Sequence, residues 1–331
     1  MVNIGVVGCG LIAKLHVSKL KELGVRIAGY YDIDPCRAKN FSDLYGGEVF
    51  LDLISLFEKG KPDAVYILTP PSEHIHGVAK ACKYKTPIFL EKPIAHNLED
   101  AKEIMNRVKE SGIAVQVGFN WRFAGGVRLL KETIGVGEIR FFNGVWHGWA
   151  PSMPEWWLKD DVHGGLTNEM ASHVYDLVRY LCGEVKSVKA AVQGRVEKKA
   201  GATSEDTSVC LFELDNDAFG SISFTCGARL SKTLGFADYI QFWNHQNIAC
   251  TLVADGKTYQ LIGNSIAVIN DGSLRTEYQE FVDSYKLESK AFLKLLNDGV
   301  SVVSIDEAYR TLKFVLAVKE SIKYGSERRI L

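Results

Sequence analysis

Residues 2–14, VNIGVVGCGLIAK, decide how the first third of the chain folds. Val2 to Gly8 is a nearly continuous apolar run rich in β-branched residues, the composition of a strand buried on both faces. Gly8, Gly10 and Ala13 then follow in the spacing G-x-G-x-x-A, immediately before a helical pattern. Each small residue meets a separate steric demand. The first glycine permits a tight turn, the second lets backbone approach a pyrophosphate, and the small third residue lets helix pack closely on strand. The unpaired N–H groups at the helix start, and its dipole, favour the negative charge of phosphates. The cofactor segment is therefore Gly8, Gly10, Leu11, Ile12 and Ala13.

The bare pattern is weak, but its context strengthens it. A second strand-like run, VRIAGYYD (25–32), ends in Asp32. An acid at that point accepts hydrogen bonds from both ribose hydroxyls of a dinucleotide. A carboxylate repels a 2′-phosphate and no arginine immediately follows it, so NAD is expected and NADP is the less favoured cofactor. Arg37 is close enough to weaken that preference, but is expected on the solvent face of the next helix.

Further strand-like runs appear at AVYILTP (64–70), PIFLE (87–91) and AVQVGF (114–119), with helical stretches at 35–45, 73–84 and 97–111. Apolar strands alternating with helices imply a parallel sheet covered on both faces, a doubly wound α/β domain of the Rossmann type over residues 1–120. The pattern changes after that. A helix at about 124–134 precedes a long strand at 138–149 and a helix at 165–182. Strand pairs follow around Asp215-Asn216-Asp217 and Asp255-Gly256, and helical patterns at about 277–297 and 305–324 end the chain. Hairpins beside a few helices imply an α+β domain with a large, mostly antiparallel open sheet over 121–331. The stretch 150–164 has the composition of a functional loop.

With 331 residues, 47% hydrophobic and 24% charged, and net charge −1, the chain has the composition of a soluble two-domain protein. No basic excess points to nucleic acid. Its apolar runs are far shorter than the roughly 18–20 residues that span a bilayer. No signal peptide is read after Met1. Seven scattered cysteines without C-x-x-C fit reduced thiols in a cytoplasmic protein, and neither a disulfide framework nor a metal site is expected.

The candidate chemistry is concentrated in a few stretches. FLEKP (89–93) ends an apolar strand on two charges, Glu91 and Lys92, at the sheet edge where such folds bind ligands. An ammonium there can hydrogen-bond an alcohol oxygen and stabilise developing alkoxide charge. TPPSEH (69–74) places Thr69, Pro70 and His74 at the same edge. In GGLTNEMASHVYD (164–176), Glu169 and His173 lie one helical turn apart. On spacing alone a surface ion pair is the favoured reading and an acid/base pair the alternative. Trp146, Trp149, Trp156 and Trp157 cluster before that helix, and flat indoles suit the apolar faces of sugars, though core packing accounts for them nearly as well. Gly164 and Gly165 let backbone approach a ligand closely. His147 and His163 lie near Asp160-Asp161 but lack ligand spacing.

Taken together, GVVGCGLIA, DAVYILTPPSEH, FLEKP, VGFNWRF and GGLTNEMASHVYD, in that order, make the chain resemble the Gfo/Idh/MocA oxidoreductases, the glucose–fructose oxidoreductase and inositol dehydrogenase group. The resemblance implies that Lys92 lies beside nicotinamide and substrate, with Glu91 and Asn120 on the cofactor side and the bond from Lys92 to Pro93 commonly cis. It reverses the reading of the later helix: His173 becomes the general base and Glu169 a catalytic or orienting carboxylate, in place of the family's usual aspartate. Arg122, Trp149 and Trp157 join Lys92, Glu169 and His173 on the substrate side; for Arg122 an interdomain ion pair is an equal alternative. The implied activity is NAD-dependent hydride transfer to or from a secondary hydroxyl of a sugar, cyclitol or related polyol, in a homodimer or homotetramer formed through the C-terminal sheet. A non-catalytic NAD-binding sensor, or a glycosidase using tightly bound NAD transiently, are the alternatives.

Overall fold

The five apolar runs of the N-terminal stretch form five strands of one parallel sheet. They are β1 (Asn3–Val7), β2 (Arg26–Tyr31), β4 (Ala64–Ile67), β5 (Ile88–Glu91) and β6 (Val115–Gly118). A two-residue strand, β3 (Glu48–Val49), is too short to leave a sequence pattern and completes the order β3-β2-β1-β4-β5-β6. That order reverses between β1 and β4, the crevice where doubly wound sheets bind dinucleotides. The coordinates are a computed structural model, which describes residues 2–134, 139–148, 155–160, 164–194, 201–227, 248–263, 265–280 and 282–331.

The intervening helices begin where their sequences provide caps. Asp34 accepts from the Cys36 N–H to start α2 (Pro35–Tyr45), and Asp52 accepts from the Ser55 N–H at α3 (Leu53–Glu58). Asn97 accepts from the Asp100 N–H to start α5 (Leu98–Ser111), which ends on left-handed Gly112. The remaining helices of this half are α1 (Leu11–Glu22) and α4 (His74–Lys83).

Two compact units result: Met1–Asn120 with Tyr285–Arg310, and Trp121–Ser284 with Thr311–Leu331. Residues 285–310 were expected from their sequence position in the second domain. They belong to the first because Phe292 and Leu295 complete its core, Phe292 packing edge-on against Tyr66 and Phe89 at ring distances of 5.3 and 5.7 Å. Periodicity marks such a helix as amphipathic but does not say which sheet receives its apolar face.

Among the described residues the second unit is built on nine strands in the order β14-β13-β12-β11-β7-β10-β9-β8-β15, with β9 at Thr207–Leu214. Every pairing is antiparallel except β7 (Ile139–His147) with β10 (Phe219–Thr225). The hairpin from β11 (Ile248–Ala254) to β12 (Lys257–Ile262) turns on Asp255 and Gly256, both with positive φ, the backbone a two-residue hairpin requires. One face is buried: Phe142, Phe212, Phe224 and Leu252 join Val174, Leu177 and Val178 of the helix Ser172–Cys182 and Phe314 of the helix Ile305–Tyr324 in a single core. The helical pattern expected from about 277 begins at Ser284. Residues Arg275–Gln279 instead form β14, paired with β13 (Ile266–Asn270). Strand pairing there overrides a weak local helical preference. Strands β8 (Val185–Gly194) and β15 (Arg328–Arg329) were not legible in the sequence.

Candidate active site

In the first unit, Gly8 has φ +93°, and a Cβ there would lie 2.9 Å from the backbone of Leu68 and Thr69. Only glycine allows β1 to turn that close to the end of β4. Gly10 is the N-cap of α1 with extended backbone and no side-chain cap, and a Cβ placed on it would meet nothing within 4 Å. The start of α1 thus offers open backbone with free donors, which fits a pyrophosphate. Ala13 is buried, Ile12 half-buried and Leu11 exposed.

Asp32 is held rather than mobile: its carboxylate accepts from the Cys9 N–H at 2.7 Å and the Asp34 N–H at 2.8 Å. A carboxylate has lone pairs for about four hydrogen bonds, so capacity for ribose hydroxyls remains. Burial, with the Asp32 charge beside it, pushes the Cys9 thiol up to about 12. Arg37 pairs with Asp34 at 3.4 Å from a side chain 60% exposed, as expected of a solvent-face residue. Sequence reading overlooked Ile33, which is 92% exposed directly after Asp32 and presents an apolar surface suited to a flat base. These residues fit a dinucleotide.

At the end of β4, the Thr69 hydroxyl is buried without a hydrogen-bond partner among the described residues, while Pro70 is half-buried. His74, expected among the cofactor residues, is fully buried and plays another part. Its Nε2 faces the Thr69 carbonyl at 2.8 Å and its Nδ1 the Ile94 carbonyl at 3.2 Å, so neither nitrogen is left for a nucleotide. It ties two loops of the sheet edge together, and burial lowers its pKa.

Glu91 and Lys92 are no solvated loop tip. They are 8% and 9% exposed, and the Lys92–Pro93 peptide is cis. Glu91 ends β5, and its carboxylate lies 3.1 Å from Nε2 of His16. Gly118, its neighbour on β6, makes room: a Cβ there would sit 2.9 Å from Glu91 Oε2. His16 was also overlooked, although Ala13, His16, Val17 and Leu20 occupy the buried face of α1, at helical spacing that was there to be read. Asn120 is 1% exposed.

In the second unit, the regular helix expected from residue 165 opens as a π-turn, Thr167–Ala171, before the α-helix Ser172–Cys182. Such turns widen the helix and shift its register, often at functional sites. Glu169 lies in that turn, one element ahead of His173. The surface ion pair is excluded, because Glu169, His173 and Asp176 are 3%, 6% and 1% exposed. The Trp121 ring stacks on the His173 imidazole, with centroids 4.8 Å apart and planes 21° from parallel.

Arg122 donates from Nε and Nη2 to the two oxygens of Asp176, both at 2.7 Å. Both partners lie in the second unit and both are buried, so this is an internal pair rather than an interdomain one. Gly164 and Gly165 have φ of +82° and +71°. The approach they allow is to Asn168, Asp160 and Ser204 of the protein itself. Trp146 is fully buried and stacks on Phe224, which makes it core rather than a sugar platform. Trp157 is half-buried against the same core. Trp149 and His163 lie outside the described residues, as does the Trp156 side chain.

Known proteins match both halves of the chain. The profile described as an oxidoreductase family with an NAD-binding Rossmann fold, Gfo/Idh/MocA, matches residues 2–119, and the Gfo/Idh/MocA C-terminal domain matches residues 127–238. The uncharacterized oxidoreductase YrbE of Bacillus subtilis (strain 168) is 31% identical over 66% of this chain and 65% of its own length. That match spans slightly less than two thirds of YrbE. The myo-inositol 2-dehydrogenase of Thermotoga maritima is 26% identical over 97% of this chain and 96% of its own. A levoglucosan dehydrogenase solved with NADH and levoglucosan superposes with a TM-score of 0.86 at 19% identity, covering 100% of this chain and 99% of that one, which shows a shared fold. Both halves, the nucleotide sheet and the open-sheet unit, match one family over more than half of the sequence: the chain belongs to the Gfo/Idh/MocA family of NAD-binding oxidoreductases.

Proposed function

We propose that this oxidoreductase is an NAD-dependent dehydrogenase moving a hydride between nicotinamide C4 and a secondary hydroxyl or ketone of a sugar, cyclitol or related polyol. The observation that carries the reading is Lys92, a buried lysine at the carboxyl end of β5 in a sheet of nucleotide-binding order. The matched relatives are named for such substrates, myo-inositol and levoglucosan.

When bound, the nicotinamide supplies the hydride acceptor. Lys92 donates a hydrogen bond to the substrate oxygen and stabilises negative charge on it. His173 removes the hydroxyl proton as the adjacent C–H bond gives up its hydride, so one ketone, one NADH and one proton result. Glu169 orients substrate or imidazole, and Trp157 contributes apolar surface to the sugar side. Asp32, Thr69, Asn120 and the turn Gly8–Ala13 hold the dinucleotide, Ile33 lying against its base. Function as a homo-oligomer is part of the proposal. It is supported by Phe141, Val209, Leu211 and Phe219, all exposed on adjacent strands of the nine-stranded sheet. Among the described residues no helix is long and apolar enough to cross a membrane, and a cytoplasmic location belongs to the same proposal.

The test follows NADH formation by absorbance, with NAD and then NADP, against aldoses, inositols, sugar acids and nucleotide sugars, with Lys92→Met as control. Reduction of NAD by one substrate class, lost in the control, supports the dehydrogenase. Tight NAD binding with no turnover on any substrate sinks it, leaving a sensor or a glycosidase with transient redox chemistry.

A further inference from the structure

Three side chains of the helix Ser172–Cys182 lie along one face at positions i, i+3 and i+7: His173, Asp176 and Tyr180. Two consecutive residues of the 3-10 turn Asn120–Phe123 meet all three. Trp121 stacks on His173, while Arg122 makes its two parallel hydrogen bonds to Asp176 and lays its guanidinium 4.8 Å from the centre of the Tyr180 ring. Successive side chains of a 3-10 turn diverge by about a third of a circle. That divergence is why neighbours in sequence reach successive turns of the facing helix.

We propose that Trp121 and Arg122 are positioning residues for His173, the arginine anchoring the turn on the helix so that the indole fixes the plane of the imidazole. The proposal rests on the reading of His173 as the general base. A ring lying face-on restrains the tilt of an imidazole without competing for the nitrogens at its edge, so the base is oriented and still able to take a proton. The anchor is built for rigidity. A side-on guanidinium–carboxylate pair defines both distance and angle, which a lysine cannot reproduce. Asp176 is further fixed by the Thr311 hydroxyl at 3.0 Å, and Thr311 in turn accepts from Arg179, which pairs with Glu184. The charged groups on this helix are thus set against one another: Asp176 by Arg122, Arg179 by Glu184. Glu169 lies in the preceding π-turn, and Lys131 approaches the Tyr180 ring from α6 (Gly125–Ile134). Arg122 is thereby assigned to supporting the base rather than to gripping substrate.

The experiment uses the full chain. The emission of Trp121, taken as the wild-type spectrum minus that of Trp121→Phe, is followed against pH, since an imidazolium quenches a stacked indole more strongly than a neutral ring does. The expected result is quenching on acidification that disappears in His173→Gln and weakens several-fold in Arg122→Lys. Turnover is measured on the polyol found by the substrate panel. Trp121→Leu should lower kcat by about 10²-fold, the scale of a misplacement near 1 Å, with KM nearly unchanged, and Trp121→Phe should keep most of the activity. Quenching that ignores His173 or Arg122, or full kcat in Trp121→Leu, overturns the proposal. Full activity in His173→Gln instead removes His173 as the base, and leaves the stack and its quenching standing as structure.

Discussion

Nε2 of His16 donates to Oε2 of Glu91 across 3.1 Å in the interior of the nucleotide-binding unit, where the imidazole is fully shielded and the carboxylate nearly so. Tyr66, Phe89 and Tyr285 surround the imidazole at ring distances of 5.0–5.7 Å. The pair therefore links α1, which follows the glycine turn Gly8–Gly10, to the residue preceding Lys92.

Removing the donor leaves a carboxylate in an apolar setting. His16→Leu should cost about 3 kcal/mol in urea denaturation, the usual penalty for breaking a buried charged contact. His16→Gln, which keeps an N–H in reach, should recover a large part. A loss below about 1 kcal/mol in His16→Leu, the scale of an ordinary hydrogen bond, would show that Glu91 finds another donor.

Glu288 tests the same interior through pH. It is fully buried, neither carboxyl oxygen has a hydrogen-bond partner among the described residues, and burial, then the nearby Glu91, raises its pKa well above the ordinary 4.5. A carboxyl whose pKa is raised by folding binds its proton more tightly in the native state. Its contribution is complete below the ordinary value and is lost as pH rises toward the folded one, by up to about 1.4 kcal/mol per pH unit. Stability should therefore fall, as pH rises above the ordinary carboxyl value, more steeply in the wild type than in Glu288→Gln. Parallel stability curves for the two proteins would mean that Glu288 is already ionised in the native state.

Asp32 should govern cofactor choice. Asp32→Ala removes the expected ribose acceptor together with the bonds to Cys9 and Asp34. NAD affinity should drop about 10–10²-fold, as for loss of hydrogen bonds to a charged group, while discrimination against NADP relaxes. Calorimetric titration of both cofactors checks this. Unchanged preference would place the 2′-end of the cofactor away from Asp32.

The exposed sheet face gives a fourth test. Leu211 is 59% exposed, and β9 (Thr207–Leu214), which carries it, pairs with β10. A charge there should oppose burial of the face by a second copy. Leu211→Asp should lower the mass measured by light scattering on a sizing column without altering the circular dichroism. An unchanged oligomer would put the contact elsewhere.

Much of the nucleotide-binding unit was legible because its determinants are local. A strand followed by G-x-G-x-x-A and an acid closing the next strand are both written within a few residues of where they act. Lys92 stood out because an apolar strand running into two charges has few benign explanations, and it is buried. His16 was missed because the residue that explains it, Glu91, stands on another element 75 positions away.

The sequence by itself determined most of the order of elements in the nucleotide-binding unit, the glycine turn after β1, Asp32 at the end of β2 and the His173 helix with its neighbouring charges. Tertiary structure alone decided that residues 285–310 complete the first core, that Glu169 lies in a π-turn ahead of the His173 helix, and that His74 and Arg122 spend their polar atoms on the protein itself. The physical reason is the same in each case. Periodicity and turn chemistry act over one or two turns of chain, whereas the partner that satisfies a buried polar group, or receives an apolar face, is chosen by packing between elements distant in sequence.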